Sequence, residues 1–264
     1  MKTLKKYLHI YKVTILDNIQ YVSNIVLRIL SFAIIIFVLF NLWKYMYSDQ
    51  ETINGYSKSQ ILWYVLITEG IWFGVRNKNF TNEISDSIKS GNIAYSINKP
   101  YNYVSYLIVK NLGDITIKSL VFVLVVSTIG TIFIGRLKFT ILQIPFVLIA
   151  LIFSALIFSI IDISISLISF WIEDAMPFHW VFDKLVLIFG TIIPIEMFPN
   201  SIKTIFSFFP TYPIMYGPAK IIIDFNFNIF CKIFLVQGIY LICTIIIMNL
   251  LYKEGVKKVN VNGG

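Results

Sequence analysis

Residue types that could carry catalytic or redox chemistry are sparse in this sequence, and their spacing excludes most of it. His9 and His179 are the only histidines and stand 170 positions apart, near no cysteine cluster, so a zinc or haem site lacks donors. Cys231 and Cys243 fall in one apolar run; on one helix they would lie about 18 Å apart at 1.5 Å per residue, too far to pair. His179 with Glu173 and Asp174 is the one acid and imidazole grouping, on the stretch Trp171–Lys184, and neither a nucleophile nor a metal set accompanies it. None of the 13 glycines builds the phosphate-cradling Gly-x-x-x-x-Gly-Lys-Ser/Thr loop. The chain is therefore not expected to be an enzyme, to hold a metal or cofactor, or to hydrolyse ATP itself.

The remaining candidates are charges in costly places. Glu69 and Asp162 interrupt apolar runs, where each would cost roughly 2.5 to 3.5 kcal/mol facing lipid, so each should face protein or water. Glu69, within about two turns of the end of its run, is expected to reach the interface as an anchor. Asp162 is deeper. Both remain candidates for a translocation path.

The elements that position these groups follow from composition. Apolar residues make up 57% and charged residues 14% of the 264, and mean hydropathy is +0.78. A soluble domain carries roughly 25% charged residues, so a soluble enzyme is excluded. Runs of about 20 apolar residues predict six spans: Ile25–Tyr45, Tyr56–Val75, Ile115–Ile134, Ile141–Phe170, Val181–Pro194 and Ile229–Tyr252. Residues 1–24 read as an interfacial amphipathic helix, with Leu4, Leu8, Tyr11, Ile15, Ile19 and Val22 three or four apart and Lys5, Lys6, His9 and Lys12 between them. No small-residue cleavage site follows, so this is not read as a signal peptide.

The net charge of +8 lies between the apolar runs and not in aromatic-laced basic patches, which argues against nucleic acid. With the N-terminus inside, the inner segments hold the lysines of the first twelve residues, Arg76, Lys78, Lys89, Lys99, Lys110, Lys184 and the lysines after Tyr252. The outer ones hold Lys44, Lys58, Arg136, Lys138, Lys203 and Lys220. That bias predicts both termini in the cytoplasm, as an even span number requires. Arg28 is expected to snorkel to the headgroups, and Lys110, Asp114 and Lys118, four apart, to form a compensated strip.

Two stretches depart from plain spans. Residues 81–91 carry helix signals: Thr81 or Asn82 as N-cap, Glu83 and Asp86 early, Lys89 late, Gly91 at the C-terminal left-handed position. Ile84 and Ile88 are its only apolar face, which must dock on its own protein or in a partner's groove. Residues 194–224 contain Pro194, Pro199, Pro210, Pro213 and Pro218, excluding one continuous helix. Their Phe, Ile, Met and Tyr content predicts a broken re-entrant or surface segment on the outer side, with Glu196 and Phe198 near an exit.

Three stretches in order, Glu83–Asn102, Ser169–Leu185 and Ile188–Ile221, make nearly the whole chain resemble the permease subunits of type-2-class ATP-binding-cassette exporters, in particular the small six-span bacterial permeases. The resemblance implies an all-α integral membrane protein, a single transmembrane permease domain over residues 1–264. It implies ATPase coupling through a cytoplasmic helix at Glu83, Ile84, Ser87, Ile88, Lys89 and Gly91, with Lys99 and Pro100. Glu173 and Asp174 would supply a second cytoplasmic contact. The family's apolar-Pro-acid-aromatic-Pro signature falls on Ile193, Pro194, Glu196, Phe198 and Pro199, behind Gly190 and Thr191 where the family usually has Gly-Gly. Implied partners are two ATPase subunits, which bind ATP and Mg, and a second permease, identical or related, in a bacterial cytoplasmic membrane. The spans lack a charged channel, which favours an amphipathic or hydrophobic cargo such as a drug, peptide antibiotic or lipid-like molecule moved outward. The alternatives are a non-transport scaffold or immunity protein and an ion-coupled secondary transporter; the absence of an internal repeat weighs against the latter.

Overall fold

In lipid only a helix satisfies its own backbone over a single crossing, and the long apolar runs of this chain are helical. The computed structural model describes residues 2–19, 22–137, 139–172 and 174–262, and they form an all-α protein with one two-stranded hairpin. Helix α1 (Lys2–Ile19) lies along the start of α6, and α2 (Val22–Met46) leads to the hairpin of β1 (Thr52–Ile53) and β2 (Tyr56–Ser57). Helix α3 (Lys58–Val75) opens with a reciprocal capping box between Ser57 and Gln60. It is followed by α4 (Lys78–Lys89), α5 (Ile93–Ile97) and α6 (Tyr103–Phe133). Then come α7 (Ile144–Leu167), α8 (Met176–Val186), α9 (Asn200–Ser207), α10 (Gly217–Ile223) and α11 (Phe227–Asn262).

Among the described residues, four stretches are long and apolar enough to cross a membrane: Asn24–Met46, Tyr103–Phe133, Ile141–Phe170 and Phe227–Lys258. They leave apolar side chains exposed, as with Leu27, Leu30, Ile34 and Phe37 on α2 and Leu235, Ile242 and Ile246 on α11, which suits a lipid solvent. The other two expected spans exist as helix but not of that kind. Helix α3 is 18 residues long and interrupted by Glu69, while α8 runs on as a π-helical turn, Leu187–Ile192, ending before Pro194.

Helix α3 is the centre of the bundle. Every side chain from Ile61 to Ile67 is at most 5% exposed, packed against α2, α6, α10 and the π-turn. Close approach to α6 depends on Gly130: a Cβ there would come within 2.0 Å of Trp63. A second core joins α4, α6, α7 and α11 through Phe80, Ile84, Leu107, Ile163, Phe170 and Met248.

Several expectations are corrected. The coupling-type helix begins at Lys78 and not at Thr81, which lies inside it; Asn77 is the cap residue and its side chain instead bonds Asn111 and Asp114. Its end is as expected, with Gly91 at φ +75°. Arg28, expected to reach for the headgroups, is also tied to its own chain: its Nη2 donates to the Phe73 and Arg76 carbonyls at the C-terminus of α3, where the last helical carbonyls lack intrahelical partners. The strip on α6 is shared out, Lys110 pairing with Glu83 and Asp114 accepting from Asn77. The stripe on α1 divides, with Leu4 and Leu8 exposed while Tyr11 bonds Thr116; the side chains of Ile19 and Val22 lie outside the described residues, as does Lys138.

Candidate functional site

Two polar clusters form, one at each end of α3, roughly 27 Å apart for 18 residues at about 1.5 Å each. The first lies beyond Val75. Here Arg76 forms an ion pair with Asp183 of α8 and stacks over Trp72 at 5.2 Å. Asp162 of α7 is buried 3.4 Å from His179 Nδ1, and His179 Nε2 is 3.0 Å from the Ser166 hydroxyl. A cavity of about 60 Å³ opens between Arg76, Thr81, Asp162, His179 and Asp183. Asp162, His179 and Ser166 follow the order of an acid, imidazole and hydroxyl chain, yet Ser166 is wholly buried and its hydroxyl also bonds the Asp162 carbonyl. The arrangement ties α7 to α8; it does not present a nucleophile.

Helix α4 covers this cluster. Ile84 and Ile88 are 2% and 8% exposed, inserted among Leu107, Ile163 and Leu167 of their own chain. They are thus withdrawn from any partner, because twelve residues with one small apolar face fold only against a core, and the chain supplies it. The outward edge is polar: Asn79, Glu83, Asp86, Lys89 and Ser90 are exposed and Ser87 is half-buried. Glu83 lies 2.5 Å from Lys110, and Lys89 lies 3.5 Å from Asp174. The Met176 N–H, bonded at 3.0 Å, and then Lys89 hold the exposed Asp174 carboxyl below the usual carboxylate range. Glu173 lies outside the described residues. Lys99 and Pro100 are exposed, and Lys6 of α1 donates to the Pro100 carbonyl at 2.8 Å.

The second cluster sits at the start of α3. Pro194 ends the π-turn, a 3₁₀ turn carries Glu196, and Pro199 precedes α9. Glu196 accepts from the Tyr216 hydroxyl at 2.5 Å and lies 3.5 Å from Lys220, which also faces Asp224 at 3.4 Å and the Tyr56 ring at 5.0 Å. Phe198 packs against Phe206 with ring centroids 4.7 Å apart, and Phe206 against Phe189 at 4.3 Å, both pairs tilted. Residues 194–224 are broken as expected, α9 lying exposed while Ile214, Met215 and Ala219 reach the core. Lys220, read from the sequence only as an outer-segment charge, and Tyr216 are not foreseen as site residues; the one signal is a lysine four residues before Asp224 in an apolar, proline-rich stretch.

Glu69 joins neither cluster. It is 1% exposed, and neither carboxylate oxygen has a hydrogen-bond partner among the described residues. The expected anchor at the interface is overturned: Glu69 is near the end of α3, as read, but the neighbouring helices enclose α3 on every side.

A family model described as "ABC-2 family transporter protein" matches residues 10–263. No curated protein matches the chain.

Proposed function

The chain belongs to the ABC-2 transporter family, whose members are the membrane components of transporters driven by a separate ATPase, and from that premise we propose that it is the permease subunit of an exporter. Two such permeases, identical or related, would form the pathway and two ATPase subunits would dock on the cytoplasmic face. In this reading α3 and α8 with its π-turn complete six crossings, both termini lie in the cytoplasm of a bacterial cell, and residues 194–224 face outward.

The observation carrying this reading is that α4 is clamped to the bundle by its apolar face and by the ion pairs of Glu83 with Lys110 and Lys89 with Asp174, while Asn79, Asp86 and Ser90 on its polar edge stay exposed. A helix so held moves with α7 and α8, so force from an ATPase on the polar edge passes into the bundle as a rigid-body motion. At the other end of α3 the Glu196, Lys220 and Tyr216 cluster is the candidate outer gate. The cargo class that suits spans without a charged channel is amphipathic or hydrophobic.

Purification of the chain together with the products of its neighbouring genes tests the proposal. An ATPase should co-elute with the wild-type chain and be lost from an Asp86→Arg, Ser87→Arg variant whose thermal stability is unchanged. Elution without any ATPase, or with ion-coupled uptake in its place, overturns it.

A further inference from the structure

A recess of about 350 Å³ opens between the ends of α2 and α3, next to the cavity at Asp162, with which it shares Arg76 and Lys78 as lining. That volume is within the usual range of small-molecule sites, about 300–1,000 Å³. Its polar lining is cationic: Arg28, Arg76 and Lys78, with the Ser31 hydroxyl. Asp183 neutralises Arg76. Among the described residues Arg28 donates to the carbonyls of Phe73 and Arg76, and its buried Nε has no hydrogen-bond partner there. Lys78 is exposed and has no ion-pair partner among the described residues. Two positive charges, Arg28 and Lys78, thus converge on one recess without an ion-pair partner among the described residues, an arrangement that favours an anion.

The recess also has a directional apolar exit. Leu27 lines it, and Leu27, Leu30 and Ile34, three and four apart on α2, are 63%, 56% and 66% exposed, forming one stripe that leads away toward the middle of the helix. Arg28 lies within about one turn of the start of the apolar stretch Asn24–Met46, the depth at which phosphates of the bilayer lie. A free phosphate would use the cations alone; a phospholipid would use both the cations and the stripe. We propose that this recess binds the headgroup phosphate of an anionic phospholipid, with its acyl chains along Leu27, Leu30 and Ile34. The bound lipid would bridge α2 to the junction of α3 and α4. The inference does not rest on the transport reading and holds whichever way the chain is oriented.

Native mass spectrometry of the full chain in detergent, titrated with dioleoyl phosphatidylglycerol or dioleoyl phosphatidylcholine, tests it. The first phosphatidylglycerol adduct should form at lower concentration than the phosphatidylcholine one, and Lys78→Gln, at an exposed position, should weaken it about fivefold. Arg28→Lys should retain the preference where Arg28→Gln loses it, which separates charge from the cap on α3. Glycerol 3-phosphate at millimolar concentration should leave the adduct in place; displacement by it, or by inorganic phosphate, would assign the recess to a soluble anion and overturn the lipid proposal. Equal binding of the two lipids, or a preference unchanged in Lys78→Gln, overturns it as well.

Discussion

The Lys89 ammonium of α4 lies 3.5 Å from the Asp174 carboxylate that precedes α8, joining positions 85 apart in sequence. With Ile84 and Ile88 buried on the opposite edge, α4 is held to the bundle from two directions. The acidic and basic residues that read as partner contacts are partly spent inside the chain.

Helix α4 should therefore respond differently on its two faces. Ile84→Asp places an unpaired charge in a closed core and should cost about 3 kcal/mol or more, seen as a lost or strongly lowered Tm. Asp86→Ala should leave Tm unchanged, since surface substitutions typically stay within about 0.5 kcal/mol. Equal tolerance at both sites would mean that α4 does not pack as described.

The Asp174 contact should depend on pH with a defined sign. Because the folded carboxyl sits below its ordinary range, the contact contributes above the usual carboxylate value and fades as pH falls through the lower folded one. Spin labels at Ser90 and Phe178 should give one narrow distance distribution from neutral pH down to about pH 4, the ordinary carboxylate value, and a broader one only well below it. Broadening already above about pH 4, or a width that stays narrow even at about pH 2, would contradict the pairing.

At the other end of α3, Lys220→Met should destabilise the fold by about 2 kcal/mol, between the small value of exposed pairs and the larger one of fully buried pairs. Adding Glu196→Gln should recover part of that loss, because the stranded carboxylate is removed. A double-mutant cycle by thermal denaturation measures the coupling; strict additivity would show that the two groups do not interact.

Glu69→Gln should be neutral or stabilising, since a buried carboxylate with no partner is costly and the amide removes the charge at nearly the same volume. If Glu69 supports transport, the same variant will lower efflux without lowering Tm.

Much of this architecture could be read from residue order because its signals are local. Run length marked the four long helices, five prolines marked the break after the π-turn, and Gly91 marked the end of α4. The misreadings concern partners distant in sequence. Nothing near Glu69 announces that α3 is surrounded, and nothing near Arg28 announces that the Phe73 and Arg76 carbonyls are within reach. Ile84 and Ile88 were legible as a small apolar face, but whether that face meets a partner or the chain itself depends on α6, α7 and α11, which pack there from far along the sequence. The pairing of Lys220 was not legible for the same reason: its acid, Glu196, is brought to it by the turns between Pro194 and Gly217.

Orientation can be checked in intact cells after Cys231 and Cys243, both exposed, are replaced. A cysteine at Asn54, in the exposed hairpin turn, should react with an impermeant thiol reagent, and one at Asp86 should not. The reverse pattern would invert the proposed topology.

The claim that α4 offers its polar edge to an ATPase is tested most directly by site-specific photo-cross-linking in the assembled complex. A photoreactive residue at Asp86 or Ser90 should cross-link to the ATPase, while one at Tyr45, 81% exposed at the other end of the bundle, should not. Cross-links from Tyr45, or none from either α4 position in a complex that still hydrolyses ATP, would contradict the account.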